Sequence, residues 1–557
     1  MIVPAQWKPV GVGALEHGAR VAITSLSEST VVSANPGSGK TELLAQRADF
    51  LFRTGACRYP SKILAISFKT DAARTLSKRV RDRSGITYAH RMDSLTFHAF
   101  ARRIIAIYRP LLKGNQRLDP CFKVGQDRIG TAQVAYKELL PMAQRLINSH
   151  PMVKRSVILA YSHVFLDEFQ DCTTEQYELI ASLFRDTEIP ITGVGDAKQM
   201  IMGWAGALDG VMQKFAEEFG AVKLSLIQNW RSAPAIRRVQ NRMISVMEPA
   251  SAIAESELTG DGGQVFLARF KDEETEARRI ADKIQTWIDE GIPAHEIAIL
   301  HIRQTALFNQ PISAALDRLG IPYRNEQDLQ DLCAEPLSEL VVNVLLVLGE
   351  RPSPEAYAAT LYTLTASSDE DRGNWVRALH QARRIVTTTP ADQRAHVAFE
   401  HLRRIMSAVE RSVLLSLSSD YDGARVDEVL NNVYASIGGL IDQHCDLDKA
   451  LARYRDEGSV RVMTIHKCKG MEFKCVILPC TERETWWGSE DENRRSYFVG
   501  ISRAKEKLVV TYADRRSPPA KANSRWVASR RPHEEFLSYV RKDAVKRPAA
   551  SPTGSSS

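Results

Sequence analysis

Short runs of aliphatic and β-branched residues alternate with longer helical periods through the first third of the chain. Thr30–Ala34 is such a run; it ends in a Gly-rich turn, and a helical period follows from Thr41 to about Phe52. Lys62–Ser67 is a second apolar run, followed by a helical period over Asp71–Arg81. Val164–Leu166 and Ile189–Val194 are two more runs of the buried type, each leading into polar residues. Short buried strands separated by helices predict an α/β fold class with a parallel sheet and crossover connections.

The alternation is broken twice. From about Ala101 to Tyr161 the pattern turns helical and basic, an insertion between two strands of the first sheet. A second alternation starts with a strand at Val265–Arg269, a helix over Asp272–Glu290 and a strand at Glu296–His301. Leu332 to about Tyr454 is almost wholly helical, and strands resume at Val460–Ile465, Cys475–Leu478 and Leu508–Tyr512. The expected division is a first sheet domain at 1–100 and 161–255 with its insertion at 101–160, and a second at 262–331 and 455–530 with its insertion at 332–454. Residues 531–557 form a tail, expected to be disordered from about Val545 because Pro, Ala, Ser and Gly there can bury little.

Length and composition fit this division. A chain of 557 residues exceeds one core, so about three or four domains are expected. With 44% hydrophobic and 25% charged residues it falls in the soluble globular class. The longest apolar stretch, around Leu340–Leu348, is too short to span a bilayer, so no membrane partner is expected. Met1–Arg20 lacks the basic start and apolar core of a signal peptide. The eight cysteines form no CxxC pair and read as buried or idle thiols rather than a zinc site, and reduced thiols fit a cytoplasmic location. A net charge of +7 permits a polyanionic partner without requiring one.

Two segments carry chemistry. Ala34-Asn-Pro-Gly-Ser-Gly-Lys40-Thr41 follows a strand and opens a helix, the setting of a phosphate-binding loop. Its glycines let backbone N–H groups curl around phosphates, and the helix N-terminus adds positive potential. Lys40 is placed to neutralise the β- and γ-phosphates, and the Thr41 hydroxyl to ligate Mg²⁺. Val164-Phe-Leu-Asp167-Glu168 is a strand ending in two carboxylates. Asp167 is expected to hold Mg²⁺ and Glu168 to polarise the attacking water.

Leu166-Asp-Glu-Phe-Gln-Asp171 resembles the DExxQD box of superfamily 1 helicases related to UvrD, Rep and PcrA. Six further segments resemble that family's motifs in the family's order. They are Ile63–Ala73, Leu95–Phe100, Gly195–Gln199 with Trp204–Ala207, Gln228–Ser232, Val462–Phe473 and Tyr497–Lys505. The resemblance implies two RecA-like P-loop motor domains with parallel sheets, each interrupted by a helical insertion, with ATP in the cleft between them.

Residue roles follow from the same resemblance. Gln199 senses the γ-phosphate, and Arg231 and Arg503 act as arginine fingers on the transition-state charge. With Pro36, Gly37, Ser38, Gly39, Lys40, Thr41 and Glu42, the cofactor site gains Trp230 against adenine and Glu472 near the ribose or between the domains. Phe68, His98 and Trp204 take stacking positions on a single strand, Thr96 and Thr464 its phosphates, and His466 a neighbouring place. The chain departs from the pattern in three places. Leu15-Glu16-His-Gly-Ala lacks an adenine-reading Gln, and Gln6 lies too far upstream to replace it; Glu42 stands where a basic residue is common; and Ala205 replaces an Arg. The resemblance implies an ATP-dependent DNA helicase moving 3′-to-5′ on single-stranded DNA and unwinding duplex junctions in repair, replication or defence. The alternatives are a DNA-stimulated ATPase switch beside a partner nuclease or repair or defence protein, and an RNA helicase.

Overall fold

The computed structural model describes residues 2–68, 70–120, 122–203, 206–303, 308–325, 330–333, 335–350, 353–365, 372–417, 421, 423–455, 458–518 and 526–545. The chain divides into two compact units, one of residues 1–94, 155–325 and 460–557, the other of 95–154 and 326–459. In chain order the strands of the amino-terminal part are β1 (Thr30–Ala34), β2 (Lys62–Ser67), β3 (Met92–Thr96), β4 (Lys123–Gly125), β5 (Gln133–Ala135), β6 (Tyr161–Asp167), β7 (Ile191–Gly195) and β8 (Val222–Leu226). They are followed by β9 (Gln264–Phe270), β10 (Ile297–His301), β11 (Tyr323–Asn325), β12 (Val460–Thr464), β13 (Phe473–Leu478) and β14 (Ala504–Ala513).

These strands build two six-stranded sheets, ordered β3-β2-β6-β7-β1-β8 and β11-β12-β10-β13-β14-β9. In the first, β2, β6, β7, β1 and β8 pair in parallel; in the second, all six strands do. The fold class is the α/β one expected, with two sheets of the RecA-like kind.

A parallel sheet is stable only with both faces covered, and the second sheet shows how the alternation achieves this. Ile297 and Ile299 point to one face, where they pack with Ile280, Ile284 and Trp287 of the helix Glu273–Asp289. Ala298 and Leu300 point to the other, packing with Tyr497 and Phe498 of the helix Glu490–Ile501. The helix Pro234–Met247, placed by sequence in the first sheet domain, contributes Ile236, Val239 and Met243 to that same cluster. So does the helix Glu534–Arg541 through Phe536, Leu537 and Val540, so the tail expected from residue 531 begins as packed structure. Residues 546–557, where disorder was expected, lie outside the described residues.

The sequence reading placed the second helical block at 332–454. It is built from helices from Pro336–Leu348 to Leu447–Arg455 around a core that includes Leu345, Leu402, Val433 and Ile437. Leu340–Leu348 is buried in that core, and no helix among the described residues is long and apolar enough to cross a membrane. The first helical block differs from its reading in two respects. Its first helix, Phe97–Tyr108, starts before 101, and β4 and β5 form a small separate sheet. Three-residue strands are too short to leave a legible alternation.

Candidate nucleotide and strand site

The phosphate loop is shaped by two glycines. Gly37 and Gly39 sit at φ 72° and 90°, in the left-handed region that side chains disfavour. A Cβ on Gly37 would lie 2.5 Å from Asn229 Oδ1, so the loop also needs glycine for space. The helix Lys40–Thr54 starts at Gly39 with no side-chain cap, leaving first-turn N–H groups directed at the loop. The Ser38 hydroxyl is buried without a hydrogen-bond partner. A buried orphan hydroxyl, an uncapped helix start and a nearby ammonium from Lys40 suit a phosphate chain, so the residues fit a bound nucleoside triphosphate. Pro36 is buried at the loop's entrance, and the Thr41 side chain is half-buried on the first helical turn.

Asp167 ends β6 in register with Ser67 at the end of β2, so both lie at the carboxyl edge of the first sheet. The Ser67 hydroxyl is buried without a partner, a polar lining suited to a hydrated Mg²⁺ beside the Asp167 carboxylate. Glu168 follows in the left-handed region at φ 51°, rare for a side chain other than glycine or asparagine and found where function holds it. Its carboxylate accepts from Gln170 Nε2 at 2.6 Å. Burial pushes the Asp167 carboxyl up, and the adjacent Glu168 charge adds to this. Burial acts the same way on Glu168, but Lys40, Lys469, Gln170 and Arg503 outweigh it and hold that carboxyl low. The environment thus splits two neighbouring carboxyls in opposite directions.

Residues far apart in sequence meet these groups. Arg503 is buried, and its Nη2 donates to Gln199 Oε1 at 2.6 Å, while Gln199 Nε2 donates to Asp196 Oδ2 at 2.7 Å. Burial lowers the Arg503 pKa to about 10, and the nearby Arg231 adds to the shift. Arg231 Nε donates to Glu472 Oε2 at 2.6 Å, and Lys505 lies 3.1 Å from the other Glu472 oxygen. Burial raises the Glu472 carboxyl, but Arg231 and Lys505 outweigh it and leave it below the usual range. Glu472 therefore ties the Arg231 loop to the second sheet.

Lys469 lies within the segment Val462–Phe473, and nothing around it in sequence assigns it a role. It is buried, paired with Asp171, and donates to the Gln199 carbonyl at 2.9 Å. Its ammonium lies 4.0 Å from Glu168. The sequence signal was a lysine inside an otherwise turn-like segment; its partners lie too far away along the chain to be inferred.

Trp230 is 67% exposed, which removes core packing as its role and leaves an open ring. Its backbone N–H donates to the Gly37 carbonyl at 2.9 Å, fixing it beside the phosphate loop. A cavity of about 300 Å³ opens there, lined by Asn35, Pro36, Trp230 and Arg237 among others. Glu16, in the stretch that lacks the family's adenine-reading glutamine, accepts from the backbone N–H of Ile227 and Gln228 at 3.0 and 3.4 Å. Glu42, expected in the cofactor set, accepts from Arg83 at 2.8 Å and from Gln46 at 2.7 Å, and lies 3.5 Å from Arg79.

The strand-binding candidates divide between the units. In the first, Phe68 is half-buried just past β2, and Thr464 and His466 are half-buried at the end of β12. Thr464 Oγ1 accepts from the Lys467 N–H at 3.3 Å. In the second unit, Thr96 caps the helix Phe97–Tyr108 by accepting from the Ala99 N–H at 3.2 Å. His98 stacks on Tyr136, with ring centroids 4.0 Å apart, and burial lowers its pKa to about 4, so it is neutral at pH 7. Trp204 and Ala205 lie outside the described residues.

Comparison with known proteins agrees with this geometry. The family model described as UvrD/REP helicase N-terminal domain matches residues 15–128 and 126–220. The one described as UvrD-like helicase C-terminal domain matches 224–330 and 361–515. The chain is similar to DNA helicase II of Escherichia coli (strain K12), 24% identical over 89% of this chain and 84% of that protein. It is 24% identical to DNA helicase II of Salmonella typhimurium (strain LT2), over the same shares of each chain. It is 22% identical to the putative ATP-dependent DNA helicase YjcD of Bacillus subtilis (strain 168), over 90% of this chain and 79% of that one. With both halves of the family matched across most of its length, the chain belongs to the UvrD/Rep helicase family.

Proposed function

We propose that this protein is an ATP-dependent DNA helicase that moves 3′-to-5′ along single-stranded DNA and unwinds duplex ahead of it. The observation that carries the reading is the hydrogen bond from Arg503 to Gln199, which joins the second sheet's half of the site to the first. A nucleotide held at such a seam couples hydrolysis to relative motion of the two sheets. Lys40 and the loop glycines bind the triphosphate, Thr41 and Asp167 hold magnesium, and Glu168 orients the attacking water. Bound magnesium supplies charge neutralisation at the phosphate oxygens. Arg503 and Arg231 stabilise negative charge that spreads in the transition state, and Gln199 reports the γ-phosphate to both. Trp230 offers its open face to the base. Phe68, Thr464 and His466, with Thr96 and His98, follow the strand, the aromatic rings stacking bases without reading sequence. Cytoplasmic DNA in repair, replication or defence is the proposed substrate.

The test is strand displacement by the purified chain on 3′-tailed, 5′-tailed and RNA-tailed duplexes, with ATP turnover measured in parallel. Displacement from the 3′ DNA tail alone is the expected result. Displacement from the 5′ tail alone overturns the polarity, and preference for the RNA tail overturns the substrate. Strand-stimulated turnover without displacement replaces the helicase by an ATPase switch acting on a partner.

A further inference from the structure

Arg303 and Trp487 form a second built feature at the carboxyl edge of the second sheet. Arg303 lies two residues past His301, the last residue of β10, and His301 is in register with Thr464, the last residue of β12. Adjacent strands are about 4.8 Å apart, so Arg303 emerges at the same edge as Thr464. Ligands of parallel sheets bind at this carboxyl edge.

Trp487 is 63% exposed although its turn is rigidly held. The preceding Trp486 is buried, packs edge-on against Tyr497 and Phe536, and donates from its indole to the Cys480 carbonyl at 3.1 Å. Asn493 Nδ2 donates to the Trp486 carbonyl at 2.8 Å. Gly488 follows at φ 109°, which turns the chain into the helix Glu490–Ile501. The Arg303 guanidinium lies over the Trp487 ring at 3.8 Å, and its Nη2 donates to the Trp487 carbonyl at 2.9 Å. Its Nε is buried without a hydrogen-bond partner, and among the described residues it makes no ion pair. Burial holds its pKa below the ordinary arginine value, with the nearby Glu492 carboxylate acting the other way.

We propose that Trp487 and Arg303 form a one-nucleotide clamp for single-stranded DNA, with a base stacked on the exposed Trp487 face and an adjacent phosphate on Arg303. The inference rests on the proposed strand path past Thr464. A rigid exposed indole backed by a guanidinium gives a flat, polarised surface that any base can cover. The half-exposed guanidinium gives the phosphate a charged donor.

The experiment measures anisotropy of a labelled thymidine oligonucleotide of about 20 nucleotides bound to the full chain, across a salt series. Trp487→Ala weakens binding about tenfold at every salt concentration and leaves the salt slope unchanged, because the lost contact is uncharged. Arg303→Gln weakens binding and reduces the slope of log affinity against log salt by about 0.7, one phosphate's worth. On an oligonucleotide of abasic sugar phosphates, Trp487→Ala costs nothing while Arg303→Gln still does. Melting midpoints are recorded for each variant. If Trp487→Ala is unstable, Trp487→Phe replaces it and retains most of the affinity. Wild-type affinity and slope in both Trp487→Ala and Arg303→Gln overturn the clamp, as does a loss in Trp487→Phe equal to that in the Ala variant. Failure of the wild-type chain to bind the oligonucleotide overturns the strand path itself, an outcome distinct from normal wild-type binding with unaffected variants.

Discussion

Arg503 holds Gln199 across the seam between the two sheets, Nη2 to Oε1 at 2.6 Å, with 303 residues of chain between them. The same guanidinium donates to the carbonyls of Val499 and Met471 at 3.1 and 3.2 Å. The backbone of the helix Glu490–Ile501 and of the loop before β13 therefore aims the cation, and Gln199, in the turn after β7, is what it meets.

Arg503→Ala is expected to reduce ATP turnover by about 10³-fold, the scale of an arginine finger. Nucleotide binding, read by fluorescence of a labelled ATP analogue, changes far less. Arg503→Lys restores little, because an ammonium cannot make the same set of directed bonds. Turnover within a few-fold of wild type in the Ala variant contradicts the assignment.

Glu168→Gln is expected to bind ATP and fail to turn it over, with a loss of about 10²- to 10⁴-fold for a removed general base. Lys40→Ala weakens both binding and turnover. Phosphate release and equilibrium binding, measured on the same preparations, separate the two; normal release by Glu168→Gln sinks the catalytic role.

A buried ionic cluster holds the second sheet together. Arg516 Nη2 donates to Glu276 and to Glu482, each at 2.6 Å, and Thr511 donates to Glu276 at 2.6 Å. Arg516→Met removes the shared cation and leaves two carboxylates in the core. Removing one partner of a buried pair costs about 3–5 kcal/mol, so urea unfolding midpoints should fall clearly. An unchanged midpoint refutes a structural role for the cluster.

The packed helix Glu534–Arg541 is followed by Asp543, which accepts from Arg238 at 2.6 Å and from Arg242 at 2.5 Å. Burial raises its carboxyl, but the two arginines outweigh this and hold it below the ordinary value. A depressed folded pKa adds stability above the unfolded value of about 3.9, and that stability is lost as pH falls through the folded value. Asp543→Asn should therefore melt below wild type at pH 7, with the gap closing as pH drops below about 4. A gap that persists in acid assigns the effect to packing instead.

Much of this fold was legible along the chain, for reasons that differ by element. Lys62–Ser67 was read with its observed bounds because it is a continuous apolar run, buried along almost its whole length. Edge strand β8 is absent from that reading although Val222, Leu224 and Leu226 alternate with Lys223 and Ser225, because five residues, with Val222 exposed, give only a short signal. The phosphate loop and the Asp167–Glu168 pair were readable because each is a contiguous segment whose chemistry depends on local backbone geometry.

Sequence by itself determined the local devices: the glycines that allow left-handed loop geometry, the alternation that buries two parallel sheets, and the carboxylates that end β6. These depend on neighbours a few residues away, and neighbours are what a sequence records. Tertiary structure decided what faces what. It turned Glu42 to Arg83, joined Arg503 to Gln199, put Lys469 against Asp171 and left Trp487 open above Arg303. Such pairings depend on distances between strand ends brought together by crossovers, and distance along the chain carries no record of them.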